Sequence, residues 1–543
     1  MSGSVNRLPL IAISGGVILL ISLYFWEIGH LNGIRQGSEA LYLQVSSEMY
    51  NNSSFLTPLY RGEHHWSKPP LHFWLPFPIY WLTNKVSLGG ARVAVAILGL
   101  LGVFGLACCL RKFRNIPWSL SFITLGSALG ILKYARTYMM EIPLALLPAV
   151  AMLLFWYSQE KPKSDSVPRS SMLGASFGGA VVLLALSVLV KGPVTLAMAF
   201  ISLAIYQLYL FLFYRRWIAL PSIALLGAAT LIASSWFLYC HYTYPNEFFE
   251  YFFLRENLGK FNQVSMPAIK LLQGVLLYSL PWLFVVPATI ILAAKRVRHG
   301  DNLVVYLLSL AAGFFFIWFI PSQKSHHYAI PALPYFLSLA IIAFHENQGQ
   351  HRWIKYLQLL FSALFTPLLI LALYLANWPV QGVTLSLVLL VQLGSIGFYL
   401  ANHIRQGIIL QGVSFVAFWC MVLPFYFLPL VPPEVVDTIK EQRATIHLVD
   451  RRSYFFEQAL KRPVTAIDLV TAAKHLAGKS EQRNQVIIYQ SKLGDLKLDN
   501  YQIVHRWKKW IRKVKLKHIK EALRNRDLTS LKEPVYLLES RSK

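Results

Sequence analysis

Apolar runs recur along the chain at 9–27, 91–110, 117–134, 139–157, 171–190, 194–213, 218–239, 271–294, 303–320, 328–344, 356–376, 380–401 and 408–430. Each is long enough to cross a bilayer core, so the pattern predicts thirteen transmembrane helices. The main interruption is a polar island at 35–70. Within it Ser38, Glu39, Tyr42, Ser46 and Met49 recur at helical spacing and predict a short helix over 37–50. Asn51-Asn52-Ser53-Ser54 ends that helix, and Pro69-Pro70 opens the next apolar helix, Pro being tolerated in a first helical turn. Beyond residue 435 the pattern changes. Strand-like runs at 444–449, 485–489 and 534–538 alternate with helical stretches at 453–461 and 469–476, which predicts a small α/β domain. The segment 506–526 reads as a basic helix with Trp507, Trp510, Ile511, Val514, Leu516, Ile519 and Leu523 interleaved. The expected fold class is a polytopic α-helical membrane protein over 1–434, with outer loops near 28–88 and 240–270, and a C-terminal α/β domain over 435–543.

Basic residues of the short loops set the expected orientation. Counted from a cytoplasmic N-terminus, Arg111-Lys112-Phe113-Arg114, the 161–169 loop, Arg215-Arg216, Lys295-Arg296-Val297-Arg298, the 352–355 loop and Arg405 all fall inside. The first run lacks a small-residue cleavage site and reads as a retained span. An odd span count puts the 35–70 loop, the 242–270 loop and the C-terminal domain together on the outer face.

Composition agrees with the pattern: 55% of the 543 residues are hydrophobic and only 14% are charged, against roughly a quarter in soluble domains. The net charge of +26 is unevenly placed, with 24 of the 51 Lys and Arg lying after Asp437. An outer membrane face disfavours nucleic acid as the partner of that basic domain and favours an anionic lipid surface or plain solvation. Cys108, Cys109, Cys240 and Cys420 sit in apolar spans and read as small buried hydrophobes. The sequence contains no zinc spacing, P-loop or GxGxxG fingerprint.

Polar residues collect at the expected outer ends of spans. Lys133 to Thr137 ends the third, Glu141 opens the fourth, Lys191-Gly192-Pro193 ends the fifth, and Lys324, Ser325, His326, His327 and Tyr328 follow the ninth. Any one of them is equally well a cap or a snorkelling side chain. Taken with Lys68, they make a cationic site holding two isolated acids, Glu39 and Glu141, suited to a lipid phosphate.

Tyr42, Lys68-Pro69-Pro70, Gly89 with Ala91-Arg92, Ala135-Arg136-Thr137 followed by Glu141, Lys191-Gly192-Pro193, Pro281-Trp282 and the 322–334 stretch resemble, in order, the motifs of the aminoarabinose transferases. That family is related to the protein O-mannosyltransferases within the GT-C class. The resemblance implies inverting transfer of a sugar from a polyprenyl-phosphate donor, such as undecaprenyl phosphate-aminoarabinose, to a lipid A phosphate. The implied place is the outer face of the bacterial inner membrane, and the implied consequence is polymyxin resistance. It implies Glu39, Glu141 and Lys68 as catalytic groups. Lys68, Arg136, Lys260, Tyr42, Tyr328, Lys324 and Lys191 would bind the donor or its phosphate.

The chain also departs from the family pattern. Ser38 stands for the leading Asp of the first outer loop, Ser67 for the carboxylate before the KPP lysine, and Asn257 for a histidine. The two positions that would suit a metal are therefore lost. No cofactor is expected, although His64, His65, His326 and His327 offer an alternative divalent site. Loss of the Asp also favours a phosphate acceptor, which needs no base, over a hydroxyl acceptor, which does, unless Glu39 takes over the role one position along. Transfer to protein or glycan, a degenerate lipid-phosphate binder and a transporter remain alternatives at this point. The last is opposed by polar groups gathered at one face rather than at the bilayer midplane.

Overall fold

The structure, a computed structural model, describes residues 7–29, 37–159, 169–257, 259, 266–346, 352–375, 379–426, 430–441, 444–451, 453–460, 462–477, 484–494, 501–511 and 514–540. Two compact units result. One comprises Met1–Ile28, Val45–Ile370 and Val383–Met421; the other comprises Gly29–Gln44, Leu371–Gly382 and Val422–Lys543.

The first unit is helical. It opens with α1 (Arg7–Phe25), followed by α2 (Gly37–Asn51), whose residues up to Gln44 belong to the second unit. The short helices α3 (Leu71–Trp74) and α4 (Phe77–Thr83) begin beside Pro70 and Pro76, so Pro69-Pro70 opens a four-residue turn of helix rather than a span. Then come α5 (Leu88–Arg114), α6 (Trp118–Ser127), α7 (Leu129–Ala135), α8 (Glu141–Ser158), α9 (Arg169–Lys191), α10 (Val194–Tyr214) and α11 (Ala219–Thr243). The one-turn α12 (Pro245–Phe248) runs into a π-helical segment, Phe249–Asn257. The unit continues through α13 (Ile269–Tyr278), α14 (Val285–Arg298), α15 (Asn302–Phe316), a 3-10 segment His326–Ala332, α16 (Leu333–Glu346), α17 (Arg352–Tyr374), α18 (Pro379–Leu400) and α19 (Ile404–Ala417), except that the end of α17 and the start of α18, within Leu371–Gly382, belong to the second unit.

Among the described residues, ten helices are long and apolar enough to cross a membrane. The other three expected spans are α1, α6 with α7, and α13 with α14. The last two pairs differ from the expected continuous helices: each is broken, at Ala128 and after Tyr278. The breaks meet, and each supplies what the other lacks. The Leu129 amide donates to the Leu280 carbonyl at 2.7 Å, and the Trp282 indole donates to the Thr124 carbonyl at 2.8 Å. Backbone groups freed inside an apolar bundle need such partners. The close approach also explains Gly130, where a Cβ would stand 2.7 Å from Leu333 and 2.8 Å from Tyr278. At the other end of these helices, Arg114 and Arg296 alternate with Asp301 and Glu346 in a four-membered ion network joining the ends of α5, α14, α15 and α16.

The first unit also holds a two-stranded hairpin, β1 (Leu59–Tyr60) with β2 (Glu63–His64). The second unit carries α20 (Pro433–Glu441) and five strands, β3 (Thr445–Val449), β4 (Thr465–Ile467), β5 (Asn484–Tyr489), β6 (Tyr501–Trp510) and β7 (Lys532–Ser540). They form one sheet in the order β4-β3-β5-β7-β6. Their helices are α21 (Tyr454–Leu460), α22 (Leu469–Ala477), α23 (Gln490–Leu493) and α24 (Leu516–Asn525). β3 lies parallel to β4 and β5, while β7 runs antiparallel to β5 and β6. The expected helix over 506–526 is corrected here: its first part is the end of β6, and only Leu516–Asn525 is helical. Pairing with β7 along Tyr501–Trp510 decided this, together with burial of Trp507, whose indole donates to the Leu430 carbonyl at 3.0 Å. Cross-strand partners outweigh a local pattern readable either way.

Candidate active site

The polar island is held by a two-residue hairpin. Leu59 pairs with His64 and Tyr60 with Glu63, while Arg61 (φ 56°) and Gly62 (φ 79°) make the turn. Two successive positive φ values match the turn type favoured between right-twisted strands. The Glu48 carboxylate on α2 caps the turn, accepting from the Arg61 amide at 2.9 Å and the Gly62 amide at 3.0 Å. Beyond the hairpin, Glu247 accepts from the Trp66 indole at 2.9 Å and lies 2.9 Å from His64 Nδ1. Trp66 is fully buried against Tyr244 and Phe248. These contacts fix the chain just before Lys68.

Lys68 Nζ donates to the Ser67 carbonyl at 2.5 Å and to Glu256 Oε2 at 3.2 Å. Glu256 comes from the π-helical segment and was not among the expected site residues. The signal available for it was scarcity: only 25 residues of the chain are acidic, and one follows Arg255 in an expected outer loop. Ser67 Oγ lies 2.6 Å from His65 Nε2, and the Tyr251 hydroxyl lies 3.4 Å from His65 Nδ1. Burial first, and the Lys68 charge second, lower the His65 pKa to about 4, so this imidazole is neutral at physiological pH.

A second group lies around Glu141, the first residue of α8, which is buried. His327 Nε2 stands 3.6 Å from its Oε1, while Oε2 is buried without a hydrogen-bond partner. Lys191 and Lys133 are within electrostatic reach of the carboxylate. The Lys191 ammonium stands 4.9 Å from the Trp318 ring and 5.2 Å from the Tyr328 ring, which stack at 4.8 Å. The Lys133 ammonium stands 4.8 Å from Tyr134 and 5.6 Å from Tyr278. Aromatic faces of this kind hold cations in place without neutralising them.

Gly192 shows why KGP occurs where it does. With φ +94° it turns the chain out of α9, its amide donating to the Val188 carbonyl at 2.7 Å, and Pro193 caps α10. A Cβ at Gly192 would stand 3.1 Å from Phe252, on the segment that also carries Glu256. The Lys191 turn and the Lys68 partner are therefore packed on one element.

The remaining expected residues are placed as follows. Arg136 donates to the Leu23 and Trp26 carbonyls, and Arg92 donates to the Ile28 carbonyl at 3.0 Å, so both guanidiniums serve the C-terminal end of α1. Cations there complement the helix dipole. Lys324 donates to the Pro321 carbonyl at 2.8 Å. Tyr42 and the fully buried Glu39 lie on the part of α2 that belongs to the second unit. Lys260 and the Asn257 side chain lie outside the described residues. Among the described residues no three His, Cys, Asp or Glu side chains come together as a metal-ligand set.

No protein-family profile matches the chain. A Pseudomonas savastanoi pv. phaseolicola protein named undecaprenyl phosphate-alpha-4-amino-4-deoxy-L-arabinose arabinosyl transferase is 26% identical over 424 residues, 75% of each chain. A protein of the same name from Shewanella sediminis is 24% identical over 385 residues, which is 67% of this chain and 66% of that one. Against that relative, the match spans just under two thirds of its length. The crystal structure of ArnT from Cupriavidus metallidurans in the apo state matches with a TM-score of 0.71 at 17% identity, covering 96% of this chain and 98% of that one. The structure of the same protein bound to undecaprenyl phosphate matches at 0.70 and 15% identity, covering 98% of both chains. Residues of the helical unit and of the α/β unit both fall within these matches.

Proposed function

We propose that this chain, a membrane glycosyltransferase of the GT-C class that draws on a lipid-linked sugar, transfers that sugar to a lipid A phosphate at the outer face of the inner membrane. The donor in this reading is undecaprenyl phosphate-aminoarabinose or a close analogue. The observation that carries it is the Lys68–Glu256 pair, packed through one π-helical segment against the Lys191 turn, on the fold of a protein solved with undecaprenyl phosphate. The N-terminus would lie in the cytoplasm and the C-terminal unit in the periplasm.

In the proposed reaction an acceptor oxygen attacks the anomeric carbon from one face. The bond from that carbon to the donor phosphate breaks on the other, and the phosphate leaves with the electron pair. Lys68 stabilises the charge that develops on the departing phosphate, releasing Glu256 as it does so. Fixed charge in a water-poor site acts strongly at this step. Lys191 and Tyr328 hold donor or acceptor beside Glu141. A phosphate acceptor is already ionised and needs no base. Ser67 and Asn257 replace the carboxylate and imidazole that the family resemblance places there, and Ser67 is bonded to His65. The proposed transfer therefore relies on lysine charge rather than on a bound divalent ion.

One observation favours a second reading. Glu141 Oε2 is buried without a hydrogen-bond partner, and in this second reading it accepts the proton of a hydroxyl that a protein or glycan acceptor would present. Mass spectrometry of lipid A from a deletion strain and its complemented parent separates the two. A mass of one sugar, absent from the deletion and restored by the gene, supports lipid A. An unchanged lipid A with an altered glycoproteome supports the hydroxyl acceptor. No change in either overturns both.

A further inference from the structure

Most apolar side chains of the α/β unit are packed, with Leu469, Val470 and Ile503 exposed singly or in a pair, whereas the amphipathic helix α24 exposes a whole row. Leu516 is 67% exposed, Ile519 42% and Leu523 39%, and Val514 just before the helix is 53% exposed. On a helical wheel, 516, 519 and 523 share one stripe. Lys517, Lys520 and Arg524 flank it on one side. On the other side the helix packs on its own unit, through buried Ala522 and the His518 carbonyl, which accepts from Ser530 Oγ at 2.9 Å. The apolar stripe thus lies exposed between the packed face and the basic face.

A second observation says what it meets. Arg526, which caps α24, lies 4.3 Å over the Tyr374 ring and donates to its hydroxyl. Tyr374 belongs to the same unit as α24 and is the last residue of α17, one of the helices long enough to span the membrane. Tyrosines that end such helices sit at the level of the lipid headgroups. The tether therefore holds the end of α24 at the membrane boundary.

We propose that α24 is an interfacial helix that lays its Leu516–Ile519–Leu523 stripe into an anionic lipid surface, with Lys517, Lys520 and Arg524 on the headgroup phosphates. Apolar burial and basic charge together are what such a helix needs, and each basic residue near an anionic leaflet adds to binding. Docking of this kind would hold the α/β unit down on the membrane.

The test uses the full chain in nanodiscs of phosphatidylcholine alone or mixed with phosphatidylglycerol. The exposed Cys108 is replaced (Cys108→Ser), and an environment-sensitive NBD dye is placed on Ile519→Cys. The expected result is blue-shifted emission, quenched by spin-labelled lipid, in the anionic discs. Lys517→Glu with Lys520→Glu should return quenching to its level in phosphatidylcholine. High salt should do the same in the unreversed chain, which covers the case of a misfolded double variant. Water-like emission in both disc types overturns the proposal. So does a blue shift without lipid quenching, which would assign the stripe to a second copy or a protein partner. Quenching unchanged by salt overturns the role of anionic lipid.

Discussion

If Glu256 is the resting counter-ion of Lys68 and lipid phosphate displaces it, Glu256→Gln should tighten binding of undecaprenyl phosphate. The two side chains are 12% and 25% exposed, with Nζ and Oε2 3.2 Å apart. At an effective dielectric constant of about 20, their attraction is on the order of 5 kcal/mol. Most of that is offset, because the displaced carboxylate is partly exposed and regains water, and such pairs are screened. A residual competition of about 1–2 kcal/mol remains, which corresponds to roughly tenfold in affinity. Glutamine keeps the volume and a hydrogen-bond acceptor but removes the competing charge. Native mass spectrometry of the purified chain titrated with undecaprenyl phosphate reads the shift directly, and Lys68→Gln should abolish most binding in either background. Turnover should fall in Glu256→Gln if product release limits the rate. Equal or weaker phosphate binding by Glu256→Gln would refute the displacement argument and make Glu256 a positioning partner that stays in place.

Lys68→Ala should lower transfer by about 10²–10³, the usual cost of losing one preorganised charge partner, and Glu141→Ala should reduce it strongly while Cys108→Ser does little; radiolabelled sugar transfer in vesicles measures all three. Gly192→Ala forces a side chain into φ +94° and against Phe252, so it should cost about 1–2 kcal/mol or more and lower the melting temperature in detergent. His65, at about 4 in the folded chain against 6.5 for an ordinary imidazole, binds fewer protons folded than unfolded between those values. Stability should therefore fall as pH drops through that window, by about 3 kcal/mol at full protonation, and His65→Asn should flatten the melting-temperature profile from pH 7 to 4. Transfer should persist in chelator-treated membranes, and its loss with recovery on adding a divalent cation would refute the reliance on lysine charge.

Hydropathy and short motifs determined a good deal of this protein. Solvent exclusion acts on whole segments, so the long apolar helices, the short helix at Gly37–Asn51 and the strands at Thr445–Val449 and Asn484–Tyr489 were legible locally. Lys191-Gly192-Pro193 was legible as the end of a span, while its left-handed turn, which needs glycine and suits proline, emerged only in the structure. Tertiary structure decided the rest. The breaks at Ala128 and beyond Tyr278 exist because each broken helix satisfies the other's backbone, which neither segment announces alone. Tyr501–Trp510 became a strand because Lys532–Ser540 lay ready to pair with it, although its spacing also fitted a helix. Arg136 carries the charge of a phosphate ligand, yet its position in space directs it to the carbonyls that end α1. Lys68 met Glu256 across 188 residues of chain. Charge and residue type are properties of sequence, but a counter-ion is chosen by distance, and distance is set only when the helices pack.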